Sequence, residues 1–246
     1  MLRTSLLLIW LPTAVLANIL PPDELLGPQC GATRCLAQGL ADCVDGECVC
    51  QGNNVKGLGN FVCVREDEDF AVIFNDPMVR DFSGGHTKIP LVCKFLATHI
   101  STRACTGSTP DNVETVNGMC DFRFFAWGRR RLGKTFIRGI QVNVMLWVGN
   151  DTYFHASRLE TEAVNGVYTY TEDGNRNSFG APPFGDPVVT SVPSLGSIYT
   201  QYDHISNFAR IIAQPCGIEV GIRGVEQIGS PLEHPPGVYI KVLKAC

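Results

Sequence analysis

Hydrophobic and polar residues alternate along much of the chain after residue 64, and this pattern predicts β-strands. In the segment GIQVNVMLWV every second residue from Ile140 to Val148 is aliphatic, which is the two-residue period of a strand with one buried face. The segments VYTYT, SIYTQY, FARIIA, CGIEVGI and GVYIKVL show related patterns, and stretches rich in Gly and Pro separate them. Helical periodicity does not extend beyond two turns. We therefore expect a mainly β protein in which residues 71–246 form one antiparallel sandwich or barrel.

A second region, residues 30–63, has a different composition and holds six of the eleven cysteines of the chain. It contains too few apolar residues to bury a core, so disulfide bonds must hold it together. The spacing of six cysteines leaves fifteen pairings open. A charged stretch, VREDED, follows the last of these cysteines, and we interpret residues 64–70 as an acidic linker to the β domain.

The first 17 residues have the pattern of a secretory signal peptide. Arg3 gives a positive start, the apolar run that follows is too short to span a bilayer, and Val15-Leu16-Ala17 fits a cleavage site. We expect cleavage after Ala17, a short lead at residues 18–29, and a secreted, extracellular protein without a membrane span. Secretion places the cysteines in an oxidising compartment and makes the sequon Asn150-Asp151-Thr152 a candidate for N-glycosylation.

The order of cysteines in residues 30–63, with a single residue in CVC, resembles an EGF-like module. The resemblance covers the whole segment and implies three disulfide bonds, Cys30–Cys43, Cys35–Cys48 and Cys50–Cys63. The calcium-binding subclass of these modules has an acidic signature before the first cysteine and a hydroxylatable residue between the third and the fourth. The segments PPDELLGPQC and CVDGEC fit neither feature, so we expect no calcium in this module.

The segment AVIFNDPMVRDFSGGHTKIPLVCKFLAT resembles the opening of a von Willebrand factor type D domain, and GVYIKVLKAC resembles the closing strand of that domain. The residues at the family's motif positions are Asp76, Pro77, Phe82, Gly84, Cys93, Phe95 and Ala97. The resemblance implies a β domain of the kind found in extracellular-matrix and molluscan shell-matrix proteins, and a Cys93–Cys246 disulfide bond. Some type D domains hold calcium, which points to Asp76. However, Ser83 stands where the family has a second Asp, and Ala71 replaces the family's first cysteine.

Three cysteines of the β domain remain after that pairing. Cys105 and Cys120 flank the turn-rich loop TGSTPDN, where a local bridge is geometrically easy. Cys216 then has no partner, and we expect a buried free thiol because alternate apolar residues after it would share its strand face. This favours a monomer, with a disulfide-linked dimer as the alternative.

The segment GRRRLGKT matches the phosphate-loop pattern G-x-x-x-x-G-K-[ST]. That motif binds phosphate only between a strand and the start of a helix. Here the alternating DFRFFAW precedes it and the β-branched TFIRGIQVNV follows it, so we expect a turn between two strands and no nucleotide site. Three interpretations stay open for Arg129, Arg130, Arg131 and Lys134: a solvated turn, a dibasic cleavage site, or a contact for an anionic partner such as an acidic or sulfated polymer.

Catalytic and metal-binding patterns are weak in this sequence. The net charge of −4 argues against nucleic-acid binding. The tail PPGVYIKV is similar to the end of trypsin-like proteases, but the only Ser-Gly-Gly lies far too early in the chain for the nucleophile. The histidines lack metal-ligand spacing: His86, His99, His155, His204 and His234. We expect no enzyme, no catalytic residue and no cofactor, apart from the calcium considered at Asp76.

These features favour a secreted, non-catalytic structural or adhesion protein, with extracellular-matrix proteins or acidic and sulfated polymers as partners. A soluble recognition protein whose β domain carries a ligand pocket is the second hypothesis, and a secreted hydrolase is the third. The sequence does not separate the first two.

Overall fold

The computed structural model of the chain describes residues 27–36, 39–54, 56–74, 78–89, 93–106, 114–131, 134–161, 168–172, 175–178, 189–203, 208–223, 237–244 and 246. These residues form antiparallel β-strands and one short 3₁₀ turn, Gln214–Cys216. In this part of the chain no helix has the length and apolar character needed to cross a bilayer. The predicted fold class, mainly β with antiparallel sheets, is confirmed.

Six short strands form a cysteine-rich head of three hairpins. They are β1 (Gln29–Cys30) with β2 (Thr33–Arg34), β3 (Ala41–Val44) with β4 (Glu47–Cys50), and β5 (Lys56–Leu58) with β6 (Val62–Val64). The head contains the three disulfide bonds that the EGF-like resemblance implies: Cys30–Cys43, Cys35–Cys48 and Cys50–Cys63. Their buried apolar neighbours are few, as expected where bridges replace a core.

The body begins with strands of an eight-stranded sheet. Its strands are β7 (Glu68–Phe74), β8 (Met78–Arg80), β9 (His86–Lys88), β16 (Val189–Val192), β17 (Gly196–Asp203), β18 (Phe208–Ala213), β19 (Ile218–Arg223) and β20 (Gly237–Leu243). Their spatial order is β16-β17-β18-β19-β20-β7-β8-β9. Among the described strands of the body, the first and the last, β7 and β20, are therefore neighbours.

The second sheet of the body has six strands in sequence order. They are β10 (Phe95–Thr106), β11 (Glu114–Arg131), β12 (Lys134–Val148), β13 (Asp151–Thr161), β14 (Tyr168–Glu172) and β15 (Asn175–Ser178). The strands β11 and β12 are long, with 18 and 15 residues. They place the predicted alternating segments DFRFFAW and GIQVNVMLWV side by side, with Phe124 opposite Val142.

The two sheets pack face to face around one hydrophobic core, so the body is a sandwich. Alternate residues of β12 are fully buried from Ile140 to Leu146, which confirms the predicted alternation. Ile218, Val220 and Ile222 of β19 meet them from the opposite sheet. The residues between these positions point to the two outer faces of the sandwich.

The head packs on the outer face of the eight-stranded sheet, which we call the covered face. Phe61, next to β6, is only 1% exposed. Its ring centre lies 5.5 Å from that of Phe74 on β7 and 6.4 Å from that of Tyr239 on β20. The guanidinium of Arg223 lies 5.3 Å from the same ring and donates to the carbonyl of Asn60 at 3.4 Å. Aromatic packing therefore joins the head to the body directly.

Residues 64–70 do not form the separate acidic linker that the charge run suggested. Val64 ends β6 and is fully buried, and β7 begins only four residues later. The backbone N–H of Arg65 donates to the carboxylate of Glu68 at 2.9 Å. The ammonium groups of Lys56 and Lys244 lie 3.4 and 3.5 Å from the carboxylate of Asp69. The acidic side chains thus stabilise a tight turn between head and body.

The disulfide bonds predicted for the body, Cys93–Cys246 and Cys105–Cys120, are wrong. Cys120 points into the sandwich from β11 and is bonded across the core to Cys216, so Cys216 is buried but not free. Cys105 is bonded to Cys246, and Cys93 is an exposed free cysteine. Cys105 and Cys120 lie on neighbouring strands but out of register, since Cys120 is opposite Thr102. Strand register therefore decided the pairing, and closeness along the loop did not.

Candidate functional site

The outer face of the six-stranded sheet is the candidate functional surface, and we call it the open face. It consists of the residues of β10–β13 that alternate with the buried ones. Gln141 on β12, for example, lies between Phe125 on β11 and Arg158 on β13. Large apolar side chains are exposed on it: Leu96, Met119, Trp147 and Phe154. Apolar residues on an outward face are a common mark of an interaction surface.

At one end of the open face lies an aromatic–cation cluster, formed by Lys94, Phe125, Trp127 and Arg158. The guanidinium of Arg158 lies 4.8 Å from the ring centre of Trp127. The ammonium of Lys94 lies 5.1 Å from the ring centre of Phe125 and 5.7 Å from that of Trp127. Both cations are within the distance at which an aromatic face attracts them.

Gly139 allows the indole of Trp127 to lie flat on the sheet. The two residues are opposite each other in the β11–β12 register, beside a β-bulge. A Cβ at position 139 would collide with the indole ring and with the carbonyl of Leu159. The absence of a side chain at position 139 therefore leaves room for the ring in this orientation, in contact with Arg158.

The cluster carries more positive than negative charge. Burial, and then the nearby charge of Arg158, lower the pKa of Lys94 below its usual value. Lys94 donates to a neutral acceptor, the side-chain carbonyl of Gln141, while Arg158 pairs with Glu160. A bound anion would relieve the repulsion between the two cations, so the cluster is suited to anion binding.

The basic turn predicted from GRRRLGKT continues this end of the open face. Gly128–Arg131 belong to β11, Lys134 begins β12, and Arg131 is opposite Lys134. The segment therefore joins two strands, as predicted, and it lacks the strand-to-helix setting that a phosphate loop needs. Arg130 is exposed. Arg131 lies four positions after Trp127 along the strand, which corresponds to roughly 13 Å.

An aspartate with two basic partners lies in the middle of the open face. Asp121 lies 2.6 Å from the imidazole Nε2 of His99 and 2.9 Å from Nε of Arg123. Burial acts to raise the pKa of Asp121, but the hydrogen bonds from His99 and Arg123 outweigh it, so its pKa is lowered. This group separates the basic end of the face from an apolar end, where Met119 is opposite Trp147.

The other predicted sites have different outcomes. Asp76, His204 and His234 lie outside the described residues, so the calcium prediction at Asp76 stays a prediction. Asn150 is exposed in the turn between β12 and β13. The sulfur atoms of Cys30, Cys35 and Cys48 lie close together, but all three are in disulfide bonds and offer no thiolate to a metal.

A small cleft lies between the sheets near β7, β8 and β10. Its lining is mainly apolar, with Phe82, Phe95 and Phe124, and the carboxylate of Asp81 stands beside it. Its volume is about 90 Å³, which is smaller than the roughly 150 Å³ cavity that holds a benzene molecule. The second hypothesis, a ligand pocket in the β domain, therefore gains little from this cleft.

The chain matches no protein-family model, and a search of the curated proteins finds no relative. The EGF-like and type D resemblances therefore stay predictions, and the function has to be inferred from the surface itself.

Sequence reasoning identified the basic turn but missed the aromatic–cation cluster. The signal present in the sequence was the pair Phe125 and Trp127, which stand at the outward positions of an alternating strand where polar residues are usual. Lys94 and Arg158 are distant from them in sequence and come together only through the sheet register.

Proposed function

We propose that this is a secreted, non-catalytic extracellular protein that binds acidic or sulfated polymers and acts in adhesion or matrix assembly. The observation that carries the proposal is the aromatic–cation cluster, which lies on an exposed sheet face and leads directly into the basic turn. The proposed binding partner of the protein is an anionic polysaccharide of the extracellular matrix.

The cluster and the turn fit the two chemical properties of such a polymer. Sulfate or carboxylate groups would pair with Lys94, Arg158 and the exposed Arg130 at the start of the turn. The apolar faces of the sugar rings would pack against aromatic rings such as Trp127. A polymer carries these groups at regular intervals, so it can contact the cluster and the turn, roughly 13 Å apart, at the same time.

The rigidity of the surface also supports this function. The side chains project from the paired strands β11, β12 and β13, and the indole of Trp127 is held against Gly139. Groups fixed before binding lose little conformational freedom when the ligand arrives. The disulfide bonds of head and body fit an extracellular setting, where such bonds persist.

Calorimetry with heparin, dextran sulfate and neutral dextran tests the proposal. We expect binding of the two sulfated polymers and none of neutral dextran, with an affinity that falls as salt screens the charges. The double variant Lys94→Ala/Arg158→Ala should weaken heparin binding about tenfold, or about 1.4 kcal/mol. Arg103→Ala removes an exposed cation at the far end of β10 and should change the affinity less than twofold. Equal binding of neutral dextran, or an equal effect of Arg103→Ala, would show that the cluster is not the polymer site.

A further inference from the structure

The apolar end of the open face is the feature that the proposed function leaves unexplained. It is formed by Met119, Met145, Trp147 and Phe154. Phe154 is 59% exposed, Met119 47% and Trp147 40%. The four side chains are contiguous, since Met119 is opposite Trp147 on β12 and Met145 is opposite Phe154 on β13. A contiguous apolar patch of this kind usually has something that covers it.

The hairpin turn beside this patch carries Asn150-Asp151-Thr152, the one N-glycosylation sequon in the sequence. The turn residues Gly149 and Asn150 join β12 to β13, and Gly149 has a φ of 59°. Type II′ turns require glycine at this first position. Asn150 is exposed at the tip, and the sequon threonine, Thr152, is exposed on β13.

The register places Trp147 and Thr152 on the same side of the hairpin. Val148 and Asp151 form the last pair before the turn, and Trp147 and Thr152 form the next. Directly opposite residues in an antiparallel pair point to the same face, with Cβ atoms about 4.5–5.5 Å apart. Trp147, the sequon threonine and the apolar end therefore share the open face, and Asn150 is only three residues from Trp147.

We propose that Asn150 carries an N-linked glycan whose first sugar packs against Trp147 and covers the apolar end of the open face. The inference rests on the secretion that is part of the proposed function. In the covalent step the side-chain nitrogen of Asn150 bonds to the anomeric carbon of a lipid-diphosphate-linked oligosaccharide. The bond from that carbon to the diphosphate oxygen breaks, the lipid diphosphate leaves, and the amide nitrogen loses one proton.

The attachment point explains why a glycan suits this surface. An N-acetylglucosamine ring has an apolar face of C–H groups and an acetamide methyl, which complement the exposed indole. Because it is tethered to the adjacent turn, it meets the indole at a high effective concentration and needs little affinity of its own. The sugars beyond the first can then extend over Met119 and Phe154, while the basic end of the face stays accessible.

The test uses the full chain secreted from eukaryotic cells, with the glycan trimmed by an endoglycosidase to a single N-acetylglucosamine. We expect a peptide mass that shows this sugar on Asn150. In NMR spectra the acetamide methyl protons of the sugar should be shifted upfield by the indole ring and show cross-relaxation to Trp147. The melting temperature should exceed that of Asn150→Gln by about 2–4 °C.

The variant Trp147→Ser separates packing from glycosylation. It should keep the sugar on Asn150 but lose both the methyl shift and the gain in melting temperature over Trp147→Ser/Asn150→Gln. Arg103→Ser is the matched control on the same face and should preserve both. An unmodified Asn150 in the secreted protein, an unshifted methyl signal, or an equal gain in melting temperature in Trp147→Ser would overturn the proposal. Heparin binding does not involve this end of the face, so failure here is distinguishable from failure of the proposed function.

Discussion

The two outer faces of the sandwich are built from the same alternation of residues but have different surroundings. The covered face lies under the head, with Phe61 against Phe74 and Tyr239. The open face presents its aromatic residues, such as Trp147 and Phe154, at the protein surface. The comparison teaches that an aromatic residue at an outward strand position does not by itself indicate a binding surface, because its meaning depends on what packs above it.

The ionic groups of the two faces differ in the same way. On the covered side, Lys241 lies 3.3 Å from Glu219 and 3.4 Å from Glu68. Tyr239 donates its hydroxyl hydrogen to Glu219. These carboxylates are largely shielded from solvent, with 17% and 13% of their side-chain area exposed. On the open face, Arg123 of the pair with Asp121 is 53% exposed. Removing a partner should therefore cost much more on the covered side.

The largest expected effect comes from the ring that joins the head to the body. Phe61→Ala removes a buried aromatic side chain and should lower the free energy of unfolding by about 3–5 kcal/mol. The matched change on the open face, Phe154→Ala in protein produced without glycosylation, should alter it by less than about 0.5 kcal/mol. Urea denaturation of both variants measures the difference. Similar losses for the two would contradict the distinction between the faces.

The next effect concerns the ion pairs. Lys241→Met leaves Glu219 and Glu68 without their shared cation and should cost about 3 kcal/mol. Arg123→Met removes an exposed cation and should cost less than about 1 kcal/mol. Thermal unfolding at neutral pH gives both values, and a larger loss for Arg123→Met would reverse the predicted order.

The same covered group predicts a dependence of stability on pH. Burial acts to raise the pKa of Glu219, but Lys241, Arg210 and the hydroxyl of Tyr239 together lower it below the usual value of 4.5. The folded state therefore binds this proton less readily than the unfolded state. The resulting stabilisation is fully present above pH 4.5 and is lost as the pH falls through the lowered pKa. Denaturation at a series of pH values should show a shallower acid loss for Glu219→Gln than for the wild type, and an unchanged one for the exposed control Glu114→Gln.

A smaller effect should follow from changing the glycine beneath the open-face indole. Gly139→Ala would force Trp127 away from the sheet and strain the contact with β13, at a cost of about 1–3 kcal/mol. Heparin binding should weaken with it, because the cluster loses its arrangement. Asn117→Ala, an exposed residue of β11 away from the cluster, should leave both properties nearly unchanged. If Gly139→Ala bound heparin like the wild type, the orientation of the indole would not matter for binding.

The smallest effect is expected at the free cysteine. Cys93→Ser should change the free energy of unfolding by less than about 0.5 kcal/mol, since the side chain is exposed and unbonded. The native protein should react with one equivalent of a thiol reagent at Cys93. If the free thiol were instead Cys216, reactive only after unfolding, the pairing expected from the sequence would be correct.

The strands were predictable because the alternation of apolar and polar residues that favours each strand lies within that strand's own sequence. The period of two in β11 and β12 is visible in the sequence, and the structure confirms which residues face inward. The Cys120–Cys216 bond was not predictable in this way, because it depends on which parts of two sheets face each other. The same holds for the contact of Trp127 with Lys94 and Arg158, which come from two other segments. The packing of the head on the body was not predictable from the acidic segment after Cys63. That segment suggested a solvated linker, whereas its carboxylates pair locally with neighbouring basic and backbone groups.

The position of β20 has a consequence for how the protein is made. This strand lies between β19 and β7 and carries Tyr239, which contacts Phe61 of the head. During synthesis the head and β7 leave the ribosome before β20, so the sheet that supports them is closed only when β20 has emerged. The Cys105–Cys246 bond, whose partners have a sequence separation of 141, must form later still. The head can therefore fold early on its local bridges, whereas the body completes its assembly only once β20 is present, through contacts of long sequence separation, which form slowly.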